Sequence, residues 1–520
     1  MKIAIAQIET FIGDFEKNLS KILSCIQKAQ AEGCEIVVFP ELSLTGYHPM
    51  DLLCKKGFVE KANFYLDKIK EVSKNLCTIL GTISQRGEDL YNSAVILKDR
   101  NLLEVCKFHL RKKAPVYENL YFSSSQNKGI IKLGSKNIKI FVGEDIFMQS
   151  SLEDEIDFVL VISATSYREG KIKDVKKSLL DKAKLFNKRI IWVNGIFENF
   201  GEVGFGNSMV IDPDGIKFEA KAFEEEVYIL DLDDLLSSNT SDMCWEEEVL
   251  GAITFGFKSY FKKSGVSKAV IGLSGGIDSS LCACLAKIAI GSKKLVGISM
   301  PSPFSSKESI EDAEELAKRL GIEFHIVPID KLYQKALDEF KDLFKGKAPD
   351  ITEENLQARL RAVVLMSYAN KFNGLVINTG NKSESAIGYS TLYGDSIGAI
   401  SLIGDLYKRS VYRLAKYINK KFHWIPDRVL SKPPSAELRP DQKDEDDIPA
   451  YEILDSILEL FLDKNLSEEE IIKRGFDKEV VRDVIRRFCQ NEYKRKQAPF
   501  FIRISDSKFK RDMLPIMYKL

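Results

Sequence analysis

Residues 269–288 read AVIGLSGGIDSSLCACLAKI, and their pattern decides the fold of the half that holds them. Positions 269–273 form a short apolar run rich in β-branched residues, the pattern of a buried parallel strand. Ser274, Gly275 and Gly276 break that run, and Ile277, Leu281, Cys284, Leu285 and Ile288 then recur at helical spacing. A strand, a glycine turn and a helix aim free backbone N–H groups at an anion. The glycines let the backbone approach a phosphate closely, and the hydroxyls of Ser274, Ser279 and Ser280 add donors. Asp278 is the odd member, because a carboxylate beside phosphates repels them unless a divalent cation lies between. The segment therefore predicts a polyphosphate site with its Mg2+.

No Lys-Ser or Lys-Thr follows the glycines, which excludes the Walker pattern. SGGIDSS at 274–280 resembles instead the pyrophosphate loop of the ATP pyrophosphatase group, whose members adenylate a carboxylate or carbonyl and release pyrophosphate.

At 520 residues the chain is long enough for two or three domains with separate cores. Lys+Arg and Asp+Glu both number 76, so no net field draws it to nucleic acid or an anionic membrane. Nine cysteines, none in a C-x-x-C pair, fit a reducing compartment better than a disulfide framework. The histidines at 48, 109, 325 and 423 are too scattered for a zinc pattern. The opening MKIAIAQIET lacks the apolar core of a signal peptide, and no run approaches membrane-spanning length. The expectation is a soluble, cytoplasmic protein.

Up to about residue 235 the chain alternates short apolar runs with amphipathic segments. Strands are predicted at 3–6, 36–39, 78–80, 94–97, 138–142, 158–162, 190–193 and 208–211, and helices at 17–32, 58–75 and 174–188. The acidic, serine-containing stretch 231–248 reads as a linker. Beyond it come a helix at 246–263, the glycine loop, and βα units near 295–299, 308–320, 324–327 and 375–378. The acidic cluster 441–447 reads as a solvated loop.

Asn378 to Glu384, NTGNKSE, follows the strand-like run 375–377 and so falls at the C-terminal edge of a parallel sheet, where such sheets bind ligands. GYSTLYGD at 388–395 adds two glycines, two aromatics and a carboxylate. Together the two segments resemble the second signature of the NAD synthetases, and the likeness extends to Met300-Pro301-Ser302, ENLQAR at 354–359, Lys408, PPSAELRPDQ at 433–442 and EYKR at 492–495. The last two belong to the long-chain, glutamine-dependent branch. The resemblance implies a ligase that adenylates the nicotinate carboxylate of deamido-NAD with ATP, releases pyrophosphate, and replaces AMP with ammonia. It implies ATP contacts at Ser274, Gly275, Gly276, Ile277, Asp278, Ser279, Ser280, Met300 and Thr379. It places deamido-NAD against Asn355, Glu384, Tyr389, Ser390, Thr391, Leu392 and Lys494. Asp278, Glu384 and Asp395 are the implied metal ligands, so Glu384 stands under two roles.

The long-chain branch carries a nitrilase-type glutaminase first, and FPELSLTGY at 39–47 resembles its first motif, with Glu41 at the general base. KFHL at 107–110 resembles the second, with Lys107 at the residue that stabilises the tetrahedral intermediate. The third motif should end a strand in Cys-Glu-Asp, and this chain reads Gly143-Glu144-Asp145. Neither a carboxylate nor a lysine replaces the thiolate as the acyl-forming nucleophile. Losing a nucleophile from a comparable unit costs on the order of a million-fold in rate, about 8 kcal/mol of barrier. Cys106 precedes Lys107 and, in a strand, points to the opposite face. Glutamine-binding positions have also changed, to Lys113 and Thr165 and across 195–208, although Lys171 is retained.

The expected fold class is therefore α/β: a nitrilase-like α-β-β-α sandwich over 1–240, a linker at 241–250, and a Rossmann-like parallel-sheet ATP pyrophosphatase domain over 251–520. The expected function is NAD synthesis from deamido-NAD, ATP and ammonia with Mg2+, by a homo-oligomer (dimer or octamer). The alternative is a fully glutamine-dependent synthetase with an unconventional glutaminase site.

Overall fold

A computed structural model describes residues 1–506 apart from 75, 100, 114–115, 126–128, 154 and 236–241. The middle of the expected linker thus lies outside the described residues. The chain divides into two compact units, Met1–Met243 and Cys244–Leu520.

The first unit holds two six-stranded sheets. In one, the parallel strands Lys2–Gln7, Ile36–Val38 and Cys77–Arg86 are continued by the antiparallel Asp89–Lys98 and Asn101–Cys106, and Glu226–Asp231 closes the other edge. In the other, Lys136–Val142, Phe158–Ser163 and Arg189–Asn194 run parallel between antiparallel edges. Period-two alternation divides the first strand between two cores. Ile3 and Ile5 face the second sheet, meeting residues such as Ile140, Ile162 and Val193. Ala4 and Ala6 face the helices Phe15–Ala31 and Lys56–Val72 through Ile22, Ile26 and Leu66. Helix Lys171–Phe186 packs its Ile172, Val175 and Leu179 stripe on the second sheet. Helix, sheet, sheet, helix is the expected layering. The edge strands 101–106, 130–133, 215–219 and 226–231 and the buried hairpin 196–205 fall outside the predicted set, because runs this short carry little periodicity.

The second unit is built on one parallel sheet in the spatial order Glu323–Ile326, Leu295–Ser299, Lys268–Gly272, Gly374–Asn378, Ile400–Ser401, Phe500–Phe501. From Lys268–Gly272 the chain builds outward on one side, then returns to add Gly374–Asn378 on the other. The loops after these two adjacent strands therefore diverge, and they open the crevice where open α/β sheets bind ligands. The long helices Asp330–Phe344, Ile351–Lys371, Lys408–Phe422 and Lys478–Gln490 lie outside the predicted set. No helix among the described residues is long and apolar enough to cross a membrane.

Candidate active sites

The crevice of the second unit opens into a cavity of about 320 Å³. Helix Ile277–Ile290 starts at its floor, and its N-cap, Gly276, offers no side chain to the first N–H groups. Those donors stay available to an anion. Gly275 has φ +77°, and a Cβ there would lie 2.2 Å from the carbonyl oxygen of Ser309, so only glycine fits this turn. Ser274, Gly276, Ile277, Asp278 and Ser279 line the cavity with Met300, Thr379, Glu384, Tyr389, Ser390, Asp395 and Lys494. Ser280 turns away, donating its hydroxyl to Gly276 O at 2.8 Å. Asn355, Thr391 and Leu392 lie outside the lining; Thr391 Oγ1 donates to Asn355 Oδ1 at 2.7 Å, and Leu392 O accepts from Arg359.

The centre of charge is a cluster that no sequence spacing announces. Lys408 Nζ donates to Asp278 Oδ2 at 2.5 Å and to Glu384 Oε1 at 3.2 Å, and Asn381 Nδ2 donates to Asp278 Oδ1 at 3.0 Å. Glu384 is fixed in a capping box with Asn381 at the head of helix Lys382–Ile387. Desolvation raises Glu384 to about 7, Lys408 opposes the rise, and Asp278 and Asp444 add to it. Carboxylate oxygens of this kind suit a hard divalent cation, whose charge would favour the ionised form of Glu384. Asp278 and Glu384 supply the carboxylate oxygens that would hold Mg2+, beside the Lys408 ammonium that now bonds both. Asp395 does not join them: its carboxylate accepts from Thr391 N at 2.8 Å, and desolvation raises it to about 6. Among the described residues no three His, Cys, Asp or Glu side chains form a metal-holding group, so the expected three-carboxylate set is not assembled.

Lys494 Nζ donates to Gly388 O at 2.8 Å and Ser390 O at 2.7 Å, pinning the aromatic loop. Glu437, from the 433–442 segment, accepts from Ser306 N and from the hydroxyls of Ser306 and Ser309, which brings it to the cavity rim. The acidic cluster 441–447 is not simply solvated. Asp444 is buried and accepts from Tyr451 Oη at 2.9 Å, while Asp447 pairs with Arg439. The segment is tied to distant parts of the unit, through Tyr389 and Tyr451 at Asp444 and through Gln357 at Leu438 O, which local composition does not reveal.

In the first unit, residues just past strand ends from both sheets converge. Lys107, buried after strand Asn101–Cys106, donates to Glu41 Oε1 and Glu118 Oε1, each at 2.8 Å. Asn92 Nδ2 and Ala164 N donate to the two oxygens of Glu41 at 2.7 and 3.0 Å. Burial pushes the Lys107 ammonium down, but Glu118 and Glu41 outweigh it and hold the ammonium above its ordinary value. Glu118 resists burial because Lys107 and Arg111 hold it ionised. Glu118 falls in the stretch that continues the second motif, whereas Asn92 and Arg111 are members that sequence reasoning missed, because nothing in their spacing marks them.

Gly143 follows strand Lys136–Val142 and faces this triad. A Cβ on it would lie 2.6 Å from Lys107 Nζ and 3.1 Å from Glu41 Oε2. The lysine head occupies the space a side chain would need. Asp145 accepts from His109 N and Phe108 N, and burial raises it to about 7. Cys106 Sγ lies 3.4 Å from Ser93 Oγ, while Cys25 and Cys34 sit in one hydrophobic core, Cys77 in the other, and Cys54 is exposed. Thr165 is tied to Ser163 and Asn194, Lys171 opens helix Lys171–Phe186, and the hairpin Ile196–Phe205 brings Phe197 against Tyr47.

Two family models match the chain: carbon-nitrogen hydrolase over residues 2–238 and NAD synthase over 249–498. A glutamine-dependent NAD(+) synthetase of Thermotoga maritima is 38% identical, with 98% of this chain and 97% of the relative aligned. Its counterpart in Aquifex aeolicus is 36% identical over 100% of this chain and 99% of the relative. The solved structure of glutamine-dependent NAD+ synthetase from Acinetobacter baumannii in complex with adenosine diphosphate superposes with a TM-score of 0.80 at 32% identity, covering 99% of this chain and 98% of that one. A synthetase structure from Cytophaga hutchinsonii, 20% identical with a TM-score of 0.87 and coverage of 100% and 98%, speaks to the fold alone.

Proposed function

The chain belongs to the glutamine-dependent NAD synthetase family, and on that premise we propose that it amidates deamido-NAD with ammonia rather than with nitrogen released from glutamine. It is a ligase that forms a carbon–nitrogen bond while ATP goes to AMP and pyrophosphate. A nicotinate carboxylate oxygen attacks the α-phosphorus of ATP, and the bond from that phosphorus to the bridging oxygen breaks. Ammonia then attacks the acyl carbon, the bond to AMP breaks, and one proton leaves the nitrogen.

The N–H groups at the head of helix Ile277–Ile290 and the Lys408 ammonium are suited to hold the departing pyrophosphate. Asp278 and Glu384 would hold Mg2+, which when bound neutralises phosphate charge. Tyr389, Ser390 and Lys494 line the wall suited to deamido-NAD. No side chain has to act as a nucleophile, so catalysis here is positioning and charge stabilisation. Nine free cysteines accord with a cytoplasmic location.

The observation that carries the choice of donor is Gly143, where hydrolysis of glutamine through an acyl-enzyme needs a thiolate. Two observations favour the second reading: the full-length relatives are named glutamine-dependent, and the Glu41–Lys107–Glu118 triad is intact. The deciding assay compares glutamine with ammonium chloride at equal deamido-NAD and ATP. We expect NAD, AMP and pyrophosphate with ammonium only. Glutamine-driven turnover that is lost in Glu41→Gln would establish the second reading instead.

A further inference from the structure

Lys408 reaches Asp278 and Glu384 because helix Lys408–Phe422 begins where it does, and that helix has no side-chain cap at Tyr407. Its first N–H groups are satisfied from elsewhere in the unit. Lys408 N donates to Ser383 Oγ at 2.9 Å, and Arg409 N donates to Asp455 Oδ2 at 2.9 Å. The Ser383 hydroxyl in turn donates to Asp455 Oδ1. Both Ser383 and Asp455 are 0% exposed.

Ser383 precedes Glu384 on helix Lys382–Ile387, and Asp455 projects from helix Tyr451–Leu458. One buried carboxylate therefore ties together the turn that carries Glu384 and the turn that carries Lys408. Capping a helix needs only an ordinary polar residue at its own N-cap. Here a buried carboxylate does it from a third helix, so that one group serves both turns. Its burial is offset by the Ser383 hydroxyl, Arg409 N and the Arg409 guanidinium, whose Nε lies 3.6 Å from Oδ2.

We propose that Ser383 and Asp455 are positioning residues for the adenylation step, setting the register between Glu384 and Lys408 and through it the charge geometry around Asp278. The inference rests on the reading of the Asp278–Lys408–Glu384 cluster as the phosphate-facing machinery. Neither residue lines the cavity, so neither touches substrate there. An error of about an ångström in such a cluster costs on the order of a hundredfold in rate.

The test uses the full chain with ammonium as donor, comparing Ser383→Ala, Asp455→Asn and Asp455→Ala. We expect kcat, and pyrophosphate exchange into ATP, to fall by about ten- to a hundredfold while KM for deamido-NAD stays unchanged. Asp455→Asn, which keeps an acceptor for Arg409 N, should lose less than Asp455→Ala. In a double-mutant cycle, Ser383→Ala combined with Lys408→Ala should be no slower than Lys408→Ala alone. Additive losses, or losses that follow only the folded fraction, would show a purely structural role and overturn the proposal. If Asp455→Ala does not fold, Ser383→Ala decides. Wild-type rates in Asp278→Asn and Lys408→Ala would instead remove the underlying reading of the cluster. Crippled rates in those two beside full activity in Ser383→Ala would sink this proposal alone.

Discussion

At position 143 two separate obstacles stand against restoring a side chain. Its φ of +60° is a backbone conformation that costs a non-glycine residue about 1–2 kcal/mol. Its Cβ would also meet the head of Lys107, which is held by Glu41 and Glu118. Gly143→Cys should therefore lower stability by about 1–3 kcal/mol in thermal or urea unfolding, with Gly143→Ala matching it. Glutamate release from glutamine should stay at background, since Lys113 and the 195–208 segment differ as well. A cysteine variant as stable as the parent and hydrolysing glutamine would refute this account of the site.

Buried His48 makes a pH prediction. Its Nδ1 accepts from Met50 N, its Nε2 has no partner, and burial pushes it down to about 4. Glu118 pulls the other way, and Lys107 and Arg111 add to the fall. Between about 6.5 and about 4 the unfolded chain binds a proton that the native state refuses, so this contribution to stability is lost as pH falls, by about 3 kcal/mol in all. Asp145 opposes it, because a carboxyl raised to about 7 favours the folded state as pH falls through that value. The parent's stability advantage over His48→Gln should therefore shrink between pH 7 and pH 4.5. A constant difference in melting temperature would show that His48 titrates normally.

At the scale of the element, the strand Lys268–Gly272 and the helix Ile277–Ile290 were legible within a residue or two, because a buried strand and a helix differ in periodicity. Two-residue strands such as Ile400–Ser401 were not, since their pairing is a property of neighbours. The sequence likewise identifies Asp278 and Glu384 but not that Lys408 joins them. Positions 278, 384 and 408 belong to three helices, and only the reversal of strand order brings those helices to one crevice. Asp444 was missed because its partners Tyr389 and Tyr451 come from other segments of the unit. Asp278→Asn and Glu384→Gln should each reduce ammonium-dependent turnover by about a hundredfold or more with the fold intact, since an amide is a poor partner both for Lys408 and for Mg2+. Near-parental turnover with an unchanged Mg2+ requirement would remove them from the site.

For the whole molecule, composition and motifs divide the chain into two α/β halves, and the structure divides into compact units at Met243 and Cys244 with separate hydrophobic cores. The second unit completes its sheet late. Ile400–Ser401 pairs on its outer side with Phe500–Phe501, about a hundred residues further along. During synthesis, at about 5–20 residues per second, that parallel edge waits roughly 5–20 seconds for its partner. An unpaired strand edge is a template for pairing with another chain. Misassociation through this edge is therefore open to the nascent protein from the making of residue 401 until residue 501 has emerged, the interval over which shielding by a chaperone would count most.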